Sequence, residues 1–191
     1  MKTLQLHKPH LLVIVGLPAA GKSFFASQFG ETFNTPYIDY SHFHKLVNDQ
    51  DLGDIVATEL LGQLILTQQT ILIEGRGETK QDRIVLSKLA RSKGYEALFI
   101  WIQTEPLTTL KRAVKAKDAP YTQDEYAERA EAFRVLEPSE PHIVISGRHT
   151  YASQARVVLK KLILTRTATA TRSNVPPRPN GQGYSGRMVT G

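Results

Sequence analysis

Residues 16–23 read Gly-Leu-Pro-Ala-Ala-Gly-Lys-Ser, and no other stretch of the 191-residue chain constrains its fold so tightly. Two glycines separated by four residues and followed by Lys-Ser fit the pattern GxxxxGK[ST]. The context is the one that pattern needs. A continuous apolar run, Leu11 to Val15, ends on Gly16 as a buried parallel strand does, and Lys22 to Phe29 has helical character. A loop of this kind turns its amides toward an anion, and the helix behind it adds the positive end of its dipole.

The anion expected there is the polyphosphate of a nucleoside triphosphate, ATP, with Mg²⁺. Gly16, Leu17, Pro18, Ala19, Ala20, Gly21, Lys22 and Ser23 form the cradle. Lys22 reaches the β- and γ-phosphates, and the Ser23 hydroxyl is a Mg²⁺ ligand.

Beyond the loop, short apolar segments alternate with helical ones. Pro36 to Asp39, Thr70 to Glu74, Tyr95 to Ile102 and His142 to Ile145 read as further strands. Helical periodicity covers Asp51 to Gln69. Thr79 caps a helix that stops at Gly94, Thr104 caps one with Pro106 in its first turn, and Thr122 to Glu125 fits a capping box. A last helix spans Thr150 to Leu164. Five strands alternating with helices predict an α/β fold of three layers around a five-stranded parallel sheet, the P-loop NTPase architecture, over residues 1–164. Such sheets bind ligands at the carboxyl ends of their strands, where Gly16, Asp39, Glu74 and Ser146 fall.

The charge is unevenly spread. The net +6 includes +2 from residues 1–164, where 20 Lys and Arg face all 18 acidic residues. Arg166, Arg172, Arg178 and Arg187 supply the rest, from a Thr/Ser/Pro/Gly-rich stretch over 165–191 read as a disordered tail. The basic pI therefore describes the tail, which is the part that could contact nucleic acid by charge, apart from any polynucleotide acceptor. With no cysteine, disulfides and thiol chemistry are excluded, which fits a reducing cytoplasm. The apolar run Leu11 to Val15 is too short to span a bilayer, and Lys8, Pro9 and His10 break any leader-like pattern, so a soluble, unexported protein with no membrane partner is expected.

The segments LLVIVGLPAAGKSFFASQF, YIDYSHF and ILIEGRGETKQDRIVLSKLA resemble the P-loop kinase group that includes polynucleotide kinases, zeta toxins and small-molecule phosphotransferases. The likeness covers nearly all of residues 10–164. It implies an ATP-dependent phosphotransferase moving a γ-phosphoryl group to a hydroxyl of a small molecule or a polynucleotide end.

By that resemblance Asp39, just after the second strand, binds and activates the acceptor hydroxyl, while an independent reading makes it the cap of a helix starting near Ser41. Glu74 stands where the group supports Mg²⁺, with an ion pair to Arg76 or Arg83 as the alternative. Arg76 and Arg83 are candidates for acceptor binding, and a solvated helix charge is the other reading of Arg83. Arg112, within Lys111 to Lys115, falls in the segment resembling the lid over the phosphates. It is expected both to bind nucleotide and to act in transfer, and Lys115 departs from the arginine common there. Two further departures are Ala19 for a common glycine and Phe24, beside the phosphates, for a common threonine. His142 and Gly147-Arg148 flank the last strand near the expected adenine position, with ordinary loop residues as the other reading. His42 and His44 lack metal-ligand spacing.

Two other classes remain beside the kinase. Glu74-Gly75-Arg76-Gly77 nearly matches the DxxG element of a GTPase-like switch, without a guanine-reading NKxD motif. A non-catalytic nucleotide-dependent binding module is the third.

Overall fold

A computed structural model describes residues 4, 6–115, 119 and 121–172. Twelve elements follow in chain order among these: β1 (His10–Val15), α1 (Lys22–Phe33), β2 (Tyr37–Asp39), α2 (Tyr40–Val47), α3 (Gln50–Leu66), β3 (Ile71–Glu74), α4 (Lys80–Ser92), β4 (Glu96–Gln103), α5 (Pro106–Val114), α6 (Gln123–Ala132), β5 (His142–Ser146) and α7 (Tyr151–Arg172). The five strands form one parallel sheet in the order β2-β3-β1-β4-β5.

Strand β1 explains the layers. All six of its residues are buried, and successive side chains leave a strand on opposite faces. Leu11, Val13 and Val15 join a core with Ala57, Leu61 and Ile65 of α3 and Leu86 and Ala90 of α4. Leu12 and Ile14 join a second core with Phe25, Ala26 and Phe29 of α1 and Ala155, Val158 and Leu162 of α7. Helices on both faces leave β1 no polar side, which is why it reads as an unbroken apolar run. Each such aliphatic side chain contributes about 1.5–3 kcal/mol on burial.

Local signals fix most helix starts. Thr79 accepts from the Asp82 amide, and Thr122 with Glu125 makes the expected reciprocal capping box. Helix α5 differs. Its cap position is Glu105, and the Thr104 hydroxyl is instead buried and donates to the Ala20 carbonyl (3.0 Å), tying the end of β4 to the phosphate loop. Helix α2 begins at Tyr40, beside the start near Ser41 that the capping reading of Asp39 expects. Gly53 of α3 lets it pack close, since a Cβ there would lie 2.7 Å from the His44 amide nitrogen. Helix α7 continues to Arg172, past the expected stop at Leu164. Of the expected tail, residues 173–191 lie outside the described residues.

Candidate active site

The loop from Gly16 to Gly21 leaves β1 with the backbone its sequence requires. Gly16 (φ 147°) passes so close to β4 that a Cβ would lie 2.5 Å from the Ile102 carbonyl oxygen. Ala19 adopts a left-handed conformation (φ 58°), strained for a residue with a side chain and native to glycine. Gly21 (φ 102°) holds the cap position of α1 without a side chain to bond the first amides of the helix. Those amides are left for a ligand, as an anion cradle needs. The back of the loop is sealed by Gly147: a Cβ there would lie 2.3 Å from the Ala20 carbonyl oxygen and 2.1 Å from the Thr104 hydroxyl oxygen.

Lys22 folds over the loop, its Nζ donating to the carbonyls of Gly16 (2.9 Å) and Leu17 (3.1 Å). Burial holds its ammonium below the ordinary lysine value, against the opposing pull of Glu74, Glu78 and Asp39, and Arg129 adds to the lowering. A cation so placed gains from an arriving polyphosphate.

The ends of β2 and β3 bring two carboxylates together, because the sheet register sets Asp39 beside Glu74. Asp39 caps α2 by accepting from the Ser41 amide (2.9 Å), so the capping reading of this residue holds and one oxygen is engaged. Glu74 is buried. Its Oε1 accepts from the Ser23 hydroxyl (2.9 Å) and its Oε2 from the Tyr37 hydroxyl (2.7 Å). Burial raises its carboxyl above the ordinary value although both hydroxyls and Lys22 pull the other way. The same burial, with Glu74 alongside, raises the Tyr37 phenol. Neither Arg76 nor Arg83 has an ion pair with Glu74 among the described residues.

No group of three or more His, Cys, Asp or Glu capable of holding a metal exists among the described residues. Mg²⁺ does not require one, since it binds through one or two hard oxygen ligands together with phosphates and water. The Ser23 hydroxyl and the Glu74 carboxylate are such a pair, and a buried carboxylate short of positive charge is one a cation relieves. The residues fit Mg²⁺.

In front of these groups opens a cleft of about 370 Å³. Gly16, Pro18, Lys22 and Glu74 form its floor, and Ser41, His44, Gln50 and Asp54 of α2 and α3 one wall. Arg76, Glu78 and Asp82 line it from the β3–α4 connection, and Tyr121, Arg129 and Ala132 from α6 and the residues before it. Three basic candidates fare differently. Arg76 lines the cleft. Arg112 is exposed on α5 and is not among the described residues that line the cleft. Arg83 is turned inward and 1% exposed; its fork donates to Glu140 through Nε (2.6 Å) and Nη2 (3.2 Å), and to the carbonyls of Gly77, Glu78, Arg134 and Val135. An arginine so saturated has no donor left for an acceptor, so Arg83 is a structural clamp and both expectations for it fail.

Two cleft residues had no mark in the sequence. Arg129 stacks its guanidinium 5.2 Å from the Tyr121 ring centroid and is close enough to lower the Lys22 value. Glu78 presents a carboxylate with no hydrogen-bond partner among the described residues. Phe24 is 63% exposed beside the cradle.

No protein-family model matches the sequence, and no curated protein matches it. Solved structures resemble it in fold. A sugar kinase from Janibacter sp. HTCC2649 superposes with a TM-score of 0.63 at 16% identity, covering 83% of this chain and 97% of its own. A gluconokinase from Sinorhizobium meliloti 1021 gives 0.63 at 14% identity, covering 87% and 98%. Kti12 of Chaetomium thermophilum, in complex with ADP-AlF3, gives 0.59 at 16%, covering 82% and 98%. At such identities the likeness speaks for architecture, and on that evidence the chain has the three-layer α/β fold of the P-loop kinases.

Proposed function

We propose that the protein is an ATP-dependent phosphotransferase whose acceptor is a small hydroxyl compound bound in the cleft beside the phosphate loop. One observation carries this reading: the loop, its buried lysine and the strand-end carboxylate of Glu74 open onto a bounded polar cleft of about 370 Å³. A switch protein needs no such second chamber. A polynucleotide end favours an open groove with free aromatic faces for its bases. Here Tyr40 and Tyr121 both carry a guanidinium over the ring. The sugar kinase and gluconokinase likenesses agree with a small acceptor, and the ADP-AlF3 held by Kti12 agrees with a nucleotide at the loop.

The loop amides and Lys22 would hold the β- and γ-phosphates and gather the charge that spreads over the transferred group. Ser23 and Glu74 would hold Mg²⁺, which neutralises phosphate charge and orients the triphosphate when bound. Asp39 has one oxygen tied to the Ser41 amide, which fixes its direction, and the other would orient the acceptor hydroxyl and receive its proton. Arg129, which lines the cleft and lowers the Lys22 value, would meet the phosphates in place of Arg112.

The test uses γ-labelled ATP with Mg²⁺ and separate panels of sugars, polyols, hydroxy acids, nucleosides and 5′-hydroxyl oligonucleotides. Label is expected on a small alcohol. Label on oligonucleotides would move the reading to a polynucleotide kinase. Hydrolysis to free phosphate that no acceptor diverts would move it to a switch or binding module.

A further inference from the structure

Arg76 is built unlike Arg83. Arg83 meets six oxygens. Arg76 meets one, Asp54 Oδ2, at 3.4 Å, and the rest of its fork has no protein partner among the described residues. Its plane is nonetheless fixed. The guanidinium lies 5.2 Å from the ring centroid of Tyr40, a side chain only 1% exposed. Asp54 is held in turn by His44 Nε2, 2.6 Å from its other oxygen, so α2 and α3 together set the position of Arg76.

A planar fork that is held in place and left with free donors suits bidentate recognition of an oxyanion, because its ordering cost is met before the ligand arrives. Among the described residues no other carboxylate of the cleft bonds it. Asp82 accepts from the Thr79 hydroxyl (2.6 Å), and Glu78 lies in the field of Lys22. From this geometry we infer that Arg76, braced by Tyr40, Asp54 and His44, is an anion subsite of the acceptor pocket, so that the acceptor carries a carboxylate or phosphate group besides the hydroxyl it offers. The inference rests on the phosphotransferase reading for the word acceptor, but the subsite itself is open to direct measurement.

The measurement is calorimetric titration of the full chain, saturated with Mg²⁺ and ADP to occupy the loop, with D-glycerate, L-tartrate and inorganic phosphate in turn. Saturable binding of at least one is expected, weakened at least tenfold in Arg76→Gln while ADP affinity is retained. Binding by the two hydroxy acids alone assigns a carboxylate, and binding by phosphate alone a phosphate. Arg76→Lys, which keeps the charge and loses the fork, is expected to recover only part of the affinity and stands in should Arg76→Gln fail to fold. No binding by any of the three overturns the subsite, as does binding indifferent to both substitutions. Transfer of label from ATP is scored separately on matched pairs such as glycerate and glycerol. Equal transfer to the neutral partner removes the subsite and leaves the kinase, whereas anion binding without transfer to any alcohol removes the kinase and leaves the subsite.

Discussion

Glu74 is buried and Glu140 half-buried, and their surroundings differ in kind. Glu140 faces the Arg83 fork and accepts the Glu137 amide (2.7 Å). Burial pushes its carboxyl upward, yet the bonds from Arg83 and the Glu137 amide, with the charges of Arg83 and Lys80, hold it below the ordinary value. Glu74 has two neutral hydroxyls and a lysine turned toward backbone carbonyls, and burial wins. The first arrangement has its counter-charge built in and holds the molecule together. The second is short of positive charge, and a site awaiting a cation has that character.

The sharpest way to break the comparison is to remove the built-in counter-charge. Arg83→Ala leaves Glu140 and four carbonyls without their donor, and a loss of about 3–5 kcal/mol in urea unfolding is expected for a broken buried pair. A loss below about 1 kcal/mol would show that the clamp holds nothing. Next come the two candidate lid cations. Arg129→Ala should lower kcat by on the order of 10²–10³ with a smaller change in ATP affinity, as for a group acting mainly on the transition state. Arg112→Ala should change kcat little, and the reverse ranking from steady-state kinetics would return the lid role to α5.

Asp39→Asn keeps the size of the side chain and one capping oxygen but cannot take a proton. Phosphoryl transfer should fall by about a hundredfold or more while Mg²⁺–ATP binding persists. Lost nucleotide binding in the same preparation would make Asp39 part of the metal site instead.

The smallest effect is a slope. Because the folded-state value of Glu74 is raised, the favourable contribution of its protonated form is complete below the unfolded value, near 4.5, and is lost as pH rises through the folded one. The melting temperature of ligand-free protein should therefore decline over that interval in the wild type and less in Glu74→Gln. Mg²⁺–ATP affinity should rise over the same interval in the wild type only. Parallel curves for the two proteins would contradict the shift.

The sequence displayed the sheet and the phosphate loop because both are written locally. An apolar run ending in glycine is a buried strand, and GxxxxGK[ST] needs no distant partner. The role of Arg83 was hidden, since Glu140 lies 57 residues away and only the packed chain joins them. Arg129 was hidden for another reason. Helix α6 reads QDEYAERAEA, a solvent-facing helix, and nothing local says which of its charges meets the cleft. Helix α2 was legible only through the capping reading of Asp39, because it is short and opens directly from β2. That reading set the start near Ser41, and the helix begins at Tyr40.

The bonds from Lys22 to the Gly16 and Leu17 carbonyls change how a ligand assay on this protein should be read. The ammonium already donates to these two carbonyls, so a nucleotide that draws it away gains only the difference between phosphate oxygens and carbonyls. Observed stabilisation follows the net free energy of that exchange, not the strength of the contacts finally made. A modest rise in melting temperature with ATP is thus compatible with a tightly engaged triphosphate. Lys22→Met, which has no latch to release, provides the baseline against which the nucleotide's grip is measured.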